Sequence, residues 1–295
     1  MKTIRYEVIL AVTVAVGTML RVASPVAAEE KPPPGIAKGE EVEVGALVEQ
    51  VTRDPRGWLW ALQDAVDQGI ELDAQDYLRQ LEEALAEVQA GHRQSRRAIV
   101  LVRLARVRSV KQAHLPLADA LHLETISEDL RYEMARSLAS LVTEPAEILS
   151  LLKEESDAVL AGVIDAVGVR KDKVIRRRLG RLLAEREKYQ ATRTGDALTQ
   201  LQLLKEYESF WETHSGAEER IGFLLKRAGE MYLPVPSPSP PVRSDTFVAS
   251  WLRERFAGMF REKPDLMKSK IEAYLESAPA NATILSLALD EIGSS

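Results

Sequence analysis

Cysteine is absent from all 295 residues, which removes disulfides, zinc–thiolate centres and thiol nucleophiles together. Aromatic residues are only 5% of the chain, so any core is built mainly from Leu, Ala and Val. Leu and Ala lead the helix-propensity scale, which favours helices. The N-terminal apolar run, Val8–Leu20, has 13 residues, short of the roughly 20 that span a bilayer. No stretch alternates apolar and polar residues with period two, so no sheet is expected. Phosphate-cradling glycine loops, nucleophile elbows and Ser-x-x-Lys boxes in a convincing context are also missing. The four histidines, His92, His114, His122 and His214, show no i, i+3 or i, i+4 pairing of the kind a helical metal site uses. No metal or cofactor is expected. His122 aligns with an apolar position of the repeat described below and is expected to be packed.

The N-terminus carries Lys2 and Arg5, then the apolar run, then the small residues Val26, Ala27 and Ala28, the pattern of a secretory signal over residues 1–28. Arg21 leaves an uncleaved anchor as the alternative. The expectation is export to the periplasm or outside of a bacterial cell, with no integral membrane span after cleavage. Residues 29–45, with Pro32, Pro33 and Pro34, read as a mobile lead-in. Residues 46–233 read as a helical body, the Pro-rich stretch 234–244 as an extended linker, and 245–295 as a C-terminal segment of three helices.

Within the body, helical spacing and caps mark successive helices. Val44–Thr52 is a short helix, followed by one carrying Trp58, Leu59, Leu62 and Val66. Asp73 caps a helix with Tyr77, Leu78, Leu81, Leu85 and Val88 on one side, closed by Gly91. Ser95–Val110 places Ala98, Leu101, Val102 and Ala105 on one face and Arg96, Arg103 and Arg106 on the other. Lys173–Lys188 turns Val174, Leu179, Leu182 and Leu183 inward. Further helices run from Ala197 to Thr213, with Leu198, Leu201, Leu204 and Phe210 apolar, and from Ala217 to Tyr232. The tail offers helices around Trp251, from Pro264, and over 282–292.

Residues 116–141 align with 145–170 at a shift of 29 without gaps. Pro116 meets Pro145, the helix-capping Ser127 meets Ser156, and Leu130, Met134 and Leu138 meet Val159, Val163 and Val167. A two-helix unit of this length cannot bury its apolar faces alone and stacks on neighbours. The segment Glu147–Gly168 (EILSLLKEESDAVLAGVIDAVG) has an apolar helix, an acidic turn, and a helix of small and apolar residues ending near glycine. It resembles the short HEAT-like repeat, and the resemblance covers Pro116–Glu185, with Ser95–Val110 matching loosely. One departure is Val159-Leu160, where the first copy has Leu130-Arg131 and the repeat usually has Val-Arg. The resemblance implies an all-α, right-handed solenoid of antiparallel helix pairs; a non-repetitive helical bundle is the alternative.

Charge is segregated. Residues 29–90 carry −10, 91–111 carry +7, 112–169 carry −8 and 170–188 carry +6. Such alternation lets successive helical layers attract one another, or else forms a basic groove for an acidic ligand. Export and the overall charge of −6 disfavour nucleic acid. The expected function is a non-catalytic interaction scaffold with a protein partner, acidic where it meets Arg131, Arg136, Arg176, Arg177, Arg178 and Arg181. An envelope hydrolase or lyase without recognisable motifs is the alternative. Glu155-Ser156 and Glu208-Ser209 match only the catalytic dipeptide of lytic transglycosylases, and HEAT-like phycobiliprotein lyases offer a weaker parallel.

Overall fold

The computed structural model describes residues 43–53, 72–91, 95–154, 156–231 and 247–277, all within a compact unit spanning Glu41–Ser295. Every regular element among them is helical, in twelve α-helices and two 3-10 turns. The helices are α1 (Val44–Arg53), α2 (Ala74–Gln89), α3 (Ser95–Val107), α4 (His114–Ala120), α5 (Glu128–Leu141) and α6 (Pro145–Leu151). They continue as α7 (Asp157–Val167), α8 (Lys173–Ala184), α9 (Arg193–Thr213), α10 (Ala217–Met231), α11 (Phe247–Glu262) and α12 (Pro264–Ser277).

The odd-numbered helices form a row in which α3 packs on α5, α5 on α7, α7 on α9 and α9 on α11. Among the even-numbered helices α2 touches α4, α6 touches α8 and α10 touches α12. Position in the row explains burial. Helices α5 and α7 have neighbours on both sides, and Tyr132–Ala139 and Ala158–Ile164 are buried without a break. That is the all-round burial expected where a helix has no solvent face. Tail helices α11 and α12 pack on α9 and α10, with Phe247, Trp251, Phe256, Met267 and Ile271 buried.

The two copies of the repeat fold alike. Each pairs a seven-residue helix, α4 or α6, with a longer one, α5 or α7. Ser127 accepts from the Leu130 amide and Ser156 from the Val159 amide, so each serine satisfies one of the donors a helix start leaves free. Leu130, Met134 and Leu138, like Val159, Val163 and Val167, are buried. The first copy starts earlier than expected: α4 begins at His114 behind the 3-10 turn Lys111–Ala113, and Pro116 lies inside its first turn. At Gly162 the copies approach each other closely, since a Cβ there would lie 2.4 Å from the Tyr132 carbonyl oxygen.

Three orientations differ from expectation. Arg103 and Arg106 turn inward, Arg103 being buried, because α3 is sandwiched between α2 and α5 and both arginines meet Glu133 on α5. Ile175 rather than Val174 faces inward on α8, in helical register with the buried Leu179 and Leu182; Val174 is 52% exposed. His122 is exposed rather than packed, because it follows the end of α4 instead of lying within it. The helix expected around Trp58, the Pro-rich linker, the helix over 282–292, and residues 1–28 lie outside the described residues. No described helix is long and apolar enough to cross a membrane.

Candidate functional site

Helix C-termini leave backbone carbonyls without intrahelical donors, and this chain repeatedly answers them with arginine. Arg131 donates to the carbonyls of Leu121, Leu123 and Ile126 beyond α4. Arg170 donates to Ala139 and Val142 at the end of α5, Arg178 to Leu152 at the end of α6, and Arg220 to Trp211 and His214 at the end of α9. A cation at this end also complements the helix dipole. Two of the six arginines singled out by sequence, Arg131 and Arg178, therefore hold neighbouring helices together. A third, Arg136, is buried on α5 and engaged there. Arg176 reaches the Arg170 carbonyl and pairs with Glu208 on α9 at 3.3 Å.

Arg177 and Arg181 differ. Asp172 caps α8 by accepting from the Val174 and Ile175 amides at 2.8 and 3.0 Å, and Ile175, Leu179 and Leu182 are buried. That leaves Lys173, Arg177 and Arg181 in an i, i+4, i+8 row on the opposite side, with Val174 beside them and all four exposed. The row spans about 12 Å of helix. No carboxylate among the described residues lies in an ion pair with these three cations, and they compose a basic ridge with one apolar side chain at its start.

The other charge clusters are internal. Glu133 is buried between Arg103 and Arg106, and Tyr132 donates its hydroxyl to Asp165 across the α5–α7 contact. Burial, followed by the adjacent Asp165 carboxylate, pushes the Tyr132 phenol well above its ordinary pKa. Arg97 on α3 pairs with Glu83 and Glu87 on α2. The basic segment 91–111 thus meets acidic residues of 29–90 and 112–169 on neighbouring helices. Asp157 accepts from the Arg193 and Thr194 amides, both at 3.0 Å, and clasps the start of α9. Partial burial alone would raise its pKa, but hydrogen bonds from Thr194, Thr192 and Arg193 outweigh this and hold it below the usual value.

An aromatic and arginine cluster joins α9, α10 and α11. Phe210 stacks on Phe223 at 4.1 Å and on His214 at 3.9 Å. Trp211 lies edge-on to Trp251 at 5.7 Å, and the Arg255 guanidinium is 5.4 Å from the Trp211 ring and 5.5 Å from the Trp251 ring. Such contacts fasten the tail helices to the body. None of this was visible as a motif; the only signal was a concentration of Phe, Trp and Tyr in 207–256.

For acid–base or metal chemistry the arrangement offers little. His114 contacts Glu147 at 3.1 Å on the surface, His214 is stacked against Phe210, and His92 lies outside the described residues. No group of three or more His, Asp or Glu side chains with metal-site geometry occurs among the described residues. Glu208 is paired with Arg176, and Glu155 lies outside the described residues. An open trough of about 630 Å³ runs between α2 and α4.

Comparison with known protein families, with curated proteins and with solved structures finds no match to this chain.

Proposed function

We propose that this chain is a non-catalytic, exported scaffold, a short right-handed HEAT-like solenoid whose α8 ridge binds an acidic protein surface. One observation carries the reading: of six candidate arginines, only Arg177 and Arg181 are exposed with no ion-pair partner among the described residues, aligned with Lys173 and beside the exposed Val174. Arginine on a rigid helix suits such a role, because its planar fork binds carboxylates in pairs while its stem covers apolar surface. Stacked helix pairs offer extended faces of this kind, and the 29-residue repeat with its matching serine caps supports the solenoid. The enzymatic alternative finds less support, since the carboxylates beside the trough, Glu82 and Asp119, are exposed.

The test is a pull-down from envelope extract with the wild-type chain and with Arg177→Glu/Arg181→Glu. Loss of a specific partner in the variant, with retention in Arg96→Glu as an exposed control on α3, is the expected result. Identical partners for all three proteins would remove the ridge from the account.

A further inference from the structure

We infer that the acidic surface recognised by the α8 ridge is the α2–α4 trough of a second copy of this chain. The inference rests on the reading of the ridge as a docking surface and adds its partner. The floor of the trough is apolar, formed by Leu78, Leu85 and Pro116, and Leu115 at its edge is 68% exposed. Glu82 and Asp119 line it from opposite helices. Both are exposed, and neither has an ion-pair partner among the described residues.

The ridge presents the complementary set. Val174 supplies an apolar knob, the stems of Arg177 and Arg181 can lie along the floor, and their guanidinium groups carry the charge that Glu82 and Asp119 lack. Elsewhere the same chain joins acidic and basic helices by this pairing, as Arg97 does with Glu83 and Glu87. Within one copy the two surfaces stay apart, for no residue of α8 lines the trough. A second copy brings them together, and each copy offers one ridge and one trough. Sedimentation separates a closed pair, in which two such contacts form together, from a chain of copies linked head to tail.

The experiment is sedimentation velocity of the full exported chain from about 1 to about 200 µM, the range of weak to moderate affinities, at low and high salt. Reversible self-association that weakens as salt rises is expected, because exposed charges at an interface rim are screened. Arg177→Glu/Arg181→Glu should weaken it at least about tenfold, and Glu82→Arg/Asp119→Arg equally, since like charges then face each other. All four positions are exposed, and circular dichroism confirms that the variants fold. The decisive arm is an equimolar mixture of the two variants, which should associate again because the swapped charges meet.

A wild-type chain that stays monomeric over the whole range overturns the inference, as do variants that associate like wild type or a mixture that fails to recover. If the wild type is monomeric while the envelope pull-down still depends on Arg177 and Arg181, the scaffold reading stands and the second-copy inference falls. If the wild type is monomeric but the ridge sediments with phosphatidylglycerol vesicles, a lipid surface takes the place of both.

Discussion

The closest backbone approach on the row of odd helices can be tested with one methyl group. At Gly162 a Cβ would lie 2.4 Å from the Tyr132 carbonyl oxygen, 3.0 Å from the Arg136 amide nitrogen and 3.2 Å from the Ala135 Cβ. The first two atoms are backbone in the middle of α5, so no side-chain rotation relieves the clash. Helices α5 and α7 must separate by nearly an ångström, against α3 on one side and α9 on the other. Forcing extra volume into a packed core costs about 1–3 kcal/mol, and this rigid site belongs at the upper end. Replacing glycine by alanine inside a helix returns about 1 kcal/mol. The expected net effect of Gly162→Ala is therefore a destabilisation of about 2 kcal/mol. Gly180 on α8 is the control, because a Cβ there meets nothing within 4 Å, and Gly180→Ala should stabilise by about 1 kcal/mol. Urea unfolding followed by circular dichroism reads both, with the slope of the transition unchanged if only stability has altered. The same chemical change thus carries opposite signs at two positions. A Gly162→Ala protein as stable as Gly180→Ala would refute the close packing of the two repeat copies.

Two further predictions concern buried and half-buried carboxylates. Glu133→Ala removes the buried carboxylate that Arg103 and Arg106 share and should cost about 3 kcal/mol, the usual penalty for breaking a buried pair from one side; Glu133→Ala combined with Arg103→Met should recover part of this, measured by thermal unfolding. Asp157 has a lowered pKa in the folded chain, so its contribution to stability is fully present above the unfolded carboxylate value of about 3.9 and disappears as pH falls through the folded value. Acid titration of stability should show this loss below about pH 4, and Asp157→Asn should remove that part of the pH dependence.

What sequence could reveal followed the range of the physics. The caps Asp73, Ser127 and Ser156 act within three residues, and the Leu130–Met134–Leu138 stripe depends only on helical period, so these were legible. The fates of the arginines were not. Arg131 and Arg177 both sit on charged helices with similar spacing, yet one binds carbonyls at the end of α4 and the other faces water. Arg131 reaches carbonyls 5 to 10 positions earlier, which depends on the course of the chain after α4, while the Arg178 partner, Leu152, is 26 positions away. The inward Arg103 was missed for the same reason: Glu133 lies on α5, 30 residues on. Val174 was misassigned although Ile175, Leu179 and Leu182 keep the i, i+4, i+7 spacing, so the helical period itself pointed to Ile175. The trough left no motif, since it arises where two helices fail to fill the space between them.

Site-specific photo-crosslinking reads whether the α8 ridge is an occupied contact surface. A photoreactive residue in place of Arg177 is irradiated in intact cells, beside the same residue in place of the exposed Glu212 at the end of α9. Discrete crosslinks from position 177 to an acidic surface are expected, with peptides spanning 78–89 and 112–123 of this chain among them. Crosslinks from position 177 no more frequent or specific than those from position 212 would contradict an occupied ridge.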